Sequence, residues 1–133
     1  MLEDLIIQNY IDNTQGRTNL NIGWSILEEL TFSKDSLECL QLALSMVERI
    51  VDQCKDEDVL GRIGAGVVES LLKSDFPEIY NRILELARED DYWESVLRFT
   101  WFRNNAAYRA ISEEFPYVVL MGKTLHTKET GND

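Results

Sequence analysis

The sequence predicts an all-α fold, a single domain of about six to seven helices. Three observations carry that prediction. Apolar residues recur at three- and four-residue spacing along most of the chain. Asp, Ser and Pro stand where those stripes begin, as helix starts require. No pair of strand-like runs is available to form a sheet. The chain has 133 residues, 44% apolar and 28% charged, which suits one domain with its own core.

The first stripe is Leu2, Leu5, Ile6 and Tyr10, followed by a Gln-Gly-Arg-Thr-Asn loop at 15–19. Ile22, Ile26, Leu27 and Leu30, with Trp24 beside them, form the second helix. Ser33 or Asp35 is the expected N-cap of the third and longest, at about 36–54. There Leu37, Leu40, Leu44, Val47 and Val51 make one stripe, and Cys39, Ala43, Met46 and Ile50 a second. A helix apolar over most of its circumference is expected to be central and buried. Asp56-Glu57-Asp58 opens the next helix, its acids in the favourable first turn. Gly61, Gly64 and Gly66 interrupt it, either breaking it near Gly64 or permitting a close crossing.

Lys73-Ser74-Asp75 ends that helix, and Pro77 suits the first turn of the following one, with Asp75 as its expected cap. Ile79, Ile83, Leu86 and Ala87 are its buried face. Asp90-Asp91 starts a helix that carries Tyr92, Trp93, Val96, Leu97, Phe99, Thr100 and Trp101 as far as Asn104-Asn105. A shorter helix at 106–115 stops before Pro116. The run 117–121 reads as a last helical turn, because no strand exists to pair with it. The domain is expected to span 1–122, followed by a flexible polar tail at 123–133. A weak repeat relates Met46-Val47-Glu48 to Ile83-Leu84-Glu85, and Asp58-Val59-Leu60 to Ser95-Val96-Leu97. Its offset matches a HEAT-like helix pair, so HEAT-like αα-hairpin packing around the central helix is expected, although two copies fall short of a full array.

Charge narrows the function. Twenty-four Asp and Glu against 13 Lys and Arg give a net charge of −11. Such a surface repels nucleic acid and anionic lipid and attracts basic partners. Cys39 and Cys54 lie about 22 Å apart if both belong to one helix, beyond disulfide reach. Reduced thiols in a cytoplasmic protein are therefore expected, with Cys39 buried. The acidic N-terminal segment does not read as a signal peptide, and no run approaches the ~20 apolar residues of a membrane span. His126, the one histidine, falls in the polar tail, and no nucleophilic triad can be built around it. Acidic pairs such as Glu28-Glu29 and Glu113-Glu114 read as surface charge, because adjacent helix residues point apart. No enzymatic activity, metal or cofactor is expected.

The most distinctive stretch is 63–72, Ile-Gly-Ala-Gly-Val-Val-Glu-Ser-Leu-Leu, followed later by Leu97-Arg98-Phe99-Thr100-Trp101. Gly64, Ala65 and Gly66 are expected to allow close backbone packing. Anion binding at a helix N-terminus is the lesser alternative, with Arg62 the only cation nearby. Glu69 lies among Val67, Val68, Leu71 and Leu72, and is either a buried acceptor or an exposed polar residue. Trp101, at helical spacing from Leu97, is expected in the core. Trp93, beside Asp90, Asp91 and Glu94, reads as an anchor for a basic partner.

The segment Gly64-Ala65-Gly66-Val67-Val68-Glu69-Ser70-Leu71-Leu72 resembles the Gly-Ala-Gly-Pro-Leu-Glu-Asp-Leu-Leu signature of an uncharacterised bacterial all-helical domain family. Its continuation resembles 79–88 and 92–101, closing on a tryptophan, so the resemblance covers roughly 37–101. It departs at Val67, Val68 and Ser70, and implies an all-helical, HEAT-like fold. In size, acidity and lack of catalytic residues the chain also resembles immunity proteins of contact-dependent growth inhibition. That resemblance implies a cytoplasmic, monomeric antitoxin that neutralises a cognate bacterial toxin with a basic surface, a nuclease above all. The expected contact surface joins Asp52, Asp56, Glu57 and Asp58 to Glu85, Glu89, Asp90, Asp91, Trp93 and Glu94. These are two loop-proximal clusters at equivalent places in the two helix pairs. The alternative is a non-enzymatic helical adaptor or scaffold for another protein.

Overall fold

Hydrophobic periodicity becomes helix almost wherever the sequence carries it. In the computed structural model, which describes residues 2–32 and 35–119, the chain begins with α1 (Leu2–Thr14), α2 (Ile22–Phe32), α3 (Leu37–Gln53) and α4 (Glu57–Ile63). A π-helical turn (Gly64–Val68) leads directly into α5 (Glu69–Lys73). Then come α6 (Pro77–Glu89), α7 (Asp91–Arg98) and α8 (Ala106–Glu114). No strand occurs among the described residues, so the fold is all-α as expected, with eight α-helices rather than six or seven. Residues 117–119 are helical as expected. Ser33, residues 120–121 and the tail at 123–133 with His126 lie outside the described residues.

Short polar side chains start several helices by taking up their free amides. Ser36 caps α3, its hydroxyl accepting from the Cys39 N–H at 3.3 Å; Asp35 stands one residue too early. Asp56 caps α4, accepting from the Asp58 and Val59 amides at 3.0 and 3.3 Å. Asn105 caps α8 through the Tyr108 N–H at 2.9 Å. Pro77 opens α6, which has no side-chain cap. Asp75, expected to cap α6, instead turns the chain with φ +63°. Its carboxylate accepts from the Ala107 and Ala106 amides at 2.8 and 3.4 Å, so it caps α8 from across the fold.

The core is built from both faces of the α3 stripe. Leu40, Ala43, Leu44, Met46, Val47, Ile50 and Val51 are buried against α1, α2, α6 and the π turn. The helix is not enclosed as expected: Gln41, Leu42, Ser45 and Asp52 face solvent and Cys39 is half-buried. The π turn is the more central element. It buries Gly64, Val67 and Val68 and touches α2, α3 and α7 besides the helices it joins. α1 and α2 cross closely at Gly23, where a Cβ would lie 2.4 Å from the Ile6 carbonyl oxygen. Asn9 locks that crossing, accepting from the Gly23 N–H at 2.8 Å and donating to the Leu20 carbonyl at 3.2 Å.

α3 and α6 run in the same direction. Arg82 of α6 holds Glu48 of α3 at 2.7 Å, and Lys55, just past α3, reaches Asp90, just past α6, at 3.8 Å. The C-terminal ends of both helices therefore lie at one edge. HEAT-like stacking is a finer claim than this packing carries.

Tyr10 is fully buried beneath the Arg62 guanidinium, 5.0 Å from its ring centroid. Its hydroxyl has no hydrogen-bond partner among the described residues, and burial raises its ionisation well above the ordinary 10.0. Tyr10→Phe removes an unsatisfied polar group, so stability should hold or rise by up to about 1 kcal/mol. A raised folded-state value means full stabilisation below the ordinary value and loss as pH climbs beyond it. Unfolding free energy should therefore fall less steeply above pH 10.0 in the Phe variant; identical alkaline slopes would count against this burial.

Candidate functional site

The parallel course of α3 and α6 brings the two acidic clusters together. Asp52 and Glu89 stand at the C-terminal ends of these helices, while Glu57, Asp58 and Asp91 open α4 and α7 beside them. Lys55 joins the two halves, its ammonium 3.8 Å from the Asp90 carboxylate and 4.8 Å from the Tyr92 ring centroid. Asp52, Glu57, Asp58, Glu89 and Asp91 are exposed and make no ion pair among the described residues. Five outward carboxylates around one shared lysine leave a locally negative field that a cationic surface relieves.

The remaining expected members have other work. Asp56 and Asp90 are N-caps, Asp90 accepting from the Tyr92 N–H at 2.9 Å. Glu85 pairs with Arg82 at 3.0 Å. Hydrogen bonds to Glu48 and then to Glu85 hold the Arg82 guanidinium well above its ordinary ionisation range. Glu94 is half-buried.

Trp93 is a correction. It is 1% exposed, the largest of the fully buried side chains, and not a surface anchor. Adjacent positions on a helix point in different directions, so the aromatic that the edge presents is Tyr92, 45% exposed. Trp101 is a second correction: expected in the core, it is 48% exposed. α7 ends at Arg98, about a turn earlier than its apolar pattern implies, and Trp101 leaves helical phase. Thr100 is buried in its place.

The reason for that early end lies in the glycine segment. A Cβ on Gly64 would stand 2.1 Å from the Val96 carbonyl oxygen, so the π turn and α7 cross at backbone contact. The Thr100 hydroxyl donates to the Gly64 carbonyl at 3.0 Å. Glu69 accepts the Trp101 backbone N–H at 3.1 Å through Oε1, and meets Lys73 Nζ at 3.3 Å through Oε2. The stretches 63–72 and 97–101 are thus one structural joint, with Glu69 a half-buried acceptor, 20% exposed at its side chain. Gly66 differs: a Cβ there would meet nothing within 4 Å, and Ala65 is exposed.

Glu69→Gln keeps an acceptor for the Trp101 amide, whereas Glu69→Ala removes it. The Ala variant should lose about 1 kcal/mol and the Gln variant clearly less, read from urea midpoints. Equal losses would show that the carboxylate acts through Lys73 and not through the amide.

Lys55 and Tyr92 are the site residues that sequence reasoning passed over. Lys55 was the detectable signal: it is the one cation between Asp52 and Arg62. Among the described residues no group of three or more His, Cys, Asp or Glu is gathered for a metal ion. None of their helices is long and apolar enough to cross a membrane. Comparison with known protein families, curated proteins and solved structures finds no match to this chain.

Proposed function

We propose that this chain is a protein-binding domain whose acidic edge covers a basic partner, and that the partner is a bacterial toxin, a nuclease in particular, which it neutralises as an immunity protein. The observation that supports this best is the meeting of two acidic clusters across Lys55, with Tyr92 exposed among them. A nuclease must present cationic groups to bind phosphate, and outward carboxylates at one edge offer those groups a substitute. A net charge of −11 adds long-range attraction, which speeds encounter. The chain's resemblance to immunity proteins in size, acidity and lack of catalytic residues supplies the toxin setting. In this reading the protein works as a monomer in the cytoplasm, without catalysis and without touching nucleic acid.

A helical adaptor for a different protein is the second reading. The cleft beside α2, a surface separate from the acidic edge, favours it. Co-expression with candidate nuclease toxins separates the two. Survival that depends on this chain supports immunity. Cells that die equally with and without it rule immunity out, and the adaptor reading takes its place.

A further inference from the structure

A second surface lies between α2 and the π turn and shares no residue with the acidic edge. Trp24, Glu28 and Phe32 form one wall, Gly66 and Ser70 the other, around a cleft of about 410 Å³. A shallower hollow of about 340 Å³ is lined by Trp24, Phe32 and both Glu28 and Glu29. Three features mark this place. Phe32 is 82% exposed, a ring that packing does not bury, beside Trp24, which packs against the core and has the Arg62 guanidinium 5.9 Å from its ring centroid. Glu28 and Glu29 are exposed and make no ion pair among the described residues, whereas the other carboxylate of the cleft, Glu69, is neutralised by Lys73. Gly66 leaves open space where any other residue would project a side chain. It does so in a π turn, a rare distortion that recurs at functional sites.

We propose that this cleft receives one segment of a protein partner in which an apolar side chain is followed by arginine or lysine. The apolar group seats over Gly66 between the two walls. The cation lies against the exposed Phe32 ring, attracted by its face and by Glu28 and Glu29. Charge complementarity selects this occupant. An acidic segment is repelled by Glu28 and Glu29, which make no ion pair among the described residues, and a second copy of this chain carries the same net charge of −11. The inference is independent of the toxin reading, since it concerns a different face and a local peptide chemistry.

The test is a ¹⁵N-resolved titration of the full chain with three acetylated, amidated tetrapeptides: Leu-Arg-Leu-Arg, Leu-Glu-Leu-Glu and Ser-Arg-Ser-Arg. The first should shift the Gly66 and Ser70 amides and the Trp24 indole N–H saturably, at least about threefold more tightly than either other peptide. Gly66→Leu, whose Cβ starts in open space with nothing within 4 Å, should fill the cleft and weaken binding about tenfold, with a thermal melt to check that the fold is kept. Phe32→Ser, at a position 82% exposed, gives the same test should the Leu variant prove unstable. The proposal is overturned by equal binding of Ser-Arg-Ser-Arg, which would be charge attraction alone. It is also overturned by shifts confined to the acidic edge, by binding undiminished in both variants, or by no saturation up to about 5 mM peptide.

Discussion

Gly64→Val should cost about 3 kcal/mol or more of folding stability, while Gly66→Ala costs nothing. Both glycines sit in the same π turn with helical backbone, so conformational freedom does not separate them. Space does. The first atom added at Gly64 arrives 2.1 Å from the Val96 carbonyl oxygen and 3.1 Å from the Phe99 Cβ, and backbone cannot yield as a flexible side chain can. Moving α7 away would break the Thr100 bond to the Gly64 carbonyl and the Trp101 bond to Glu69 together. At Gly66 an alanine meets only open space, and its better helix propensity is worth up to about 1 kcal/mol. Urea midpoints of the two variants measure the contrast. Equal destabilisation would show that the whole turn is intolerant and that no specific crossing exists at Gly64.

Trp93→Ala should be comparably damaging, at about 3–5 kcal/mol, because it empties the volume of the largest buried side chain in the domain. Against the total stability of about 5–15 kcal/mol usual for a domain, that loss is a large fraction of the whole. Tyr92→Ala, one residue earlier, removes a side chain that is 45% exposed and packs against Lys55. It should leave the melting temperature nearly unchanged and act on partner dissociation instead, as an interface aromatic does. Thermal melts of the two variants decide between these roles. A Trp93→Ala protein as stable as the parent would contradict the packing of α7.

What the sequence told and what it withheld follow from the range of the interactions involved. Helix positions were legible because periodicity and caps are local: Asp56 and Pro77 stand where the structure uses them. The acidic edge was legible as two clusters, since the repeat offset that relates Met46 to Ile83 also places the ends of α3 and α6 in register. The phase of α7 was legible but misread. Its acidic neighbours misdirected the reading, although Trp93, Val96 and Leu97 stand at i, i+3 and i+4 on one apolar face, with Tyr92 at its margin. Its end was hidden, since Thr100 and Trp101 are held by Gly64 and Glu69 from more than thirty positions away. Gly23 passed unnoticed because nothing near it in sequence announces the Ile6 carbonyl that it meets. Asp75 read as an ordinary cap and became a distant one, which a positive φ allowed and a local pattern could not reveal.

The acidic edge as a steering and covering surface is the central claim, and its cleanest variant avoids the caps. Asp56 and Asp90 hold helix starts, so reversing them would confuse folding with binding. Asp52 and Glu89 lie at helix C-termini, where lysine is favoured by the helix dipole and the fold should be preserved. The most direct measurement is the association rate of the parent and of the double variant Asp52→Lys, Glu89→Lys with the catalytically inactivated form of a toxin against which the chain protects in co-expression, across a salt series. The account predicts a parent rate that falls about tenfold or more as salt rises from about 50 to 500 mM, and a variant rate that is slower at low salt and flatter throughout. Equal rates with equal salt dependence would contradict it.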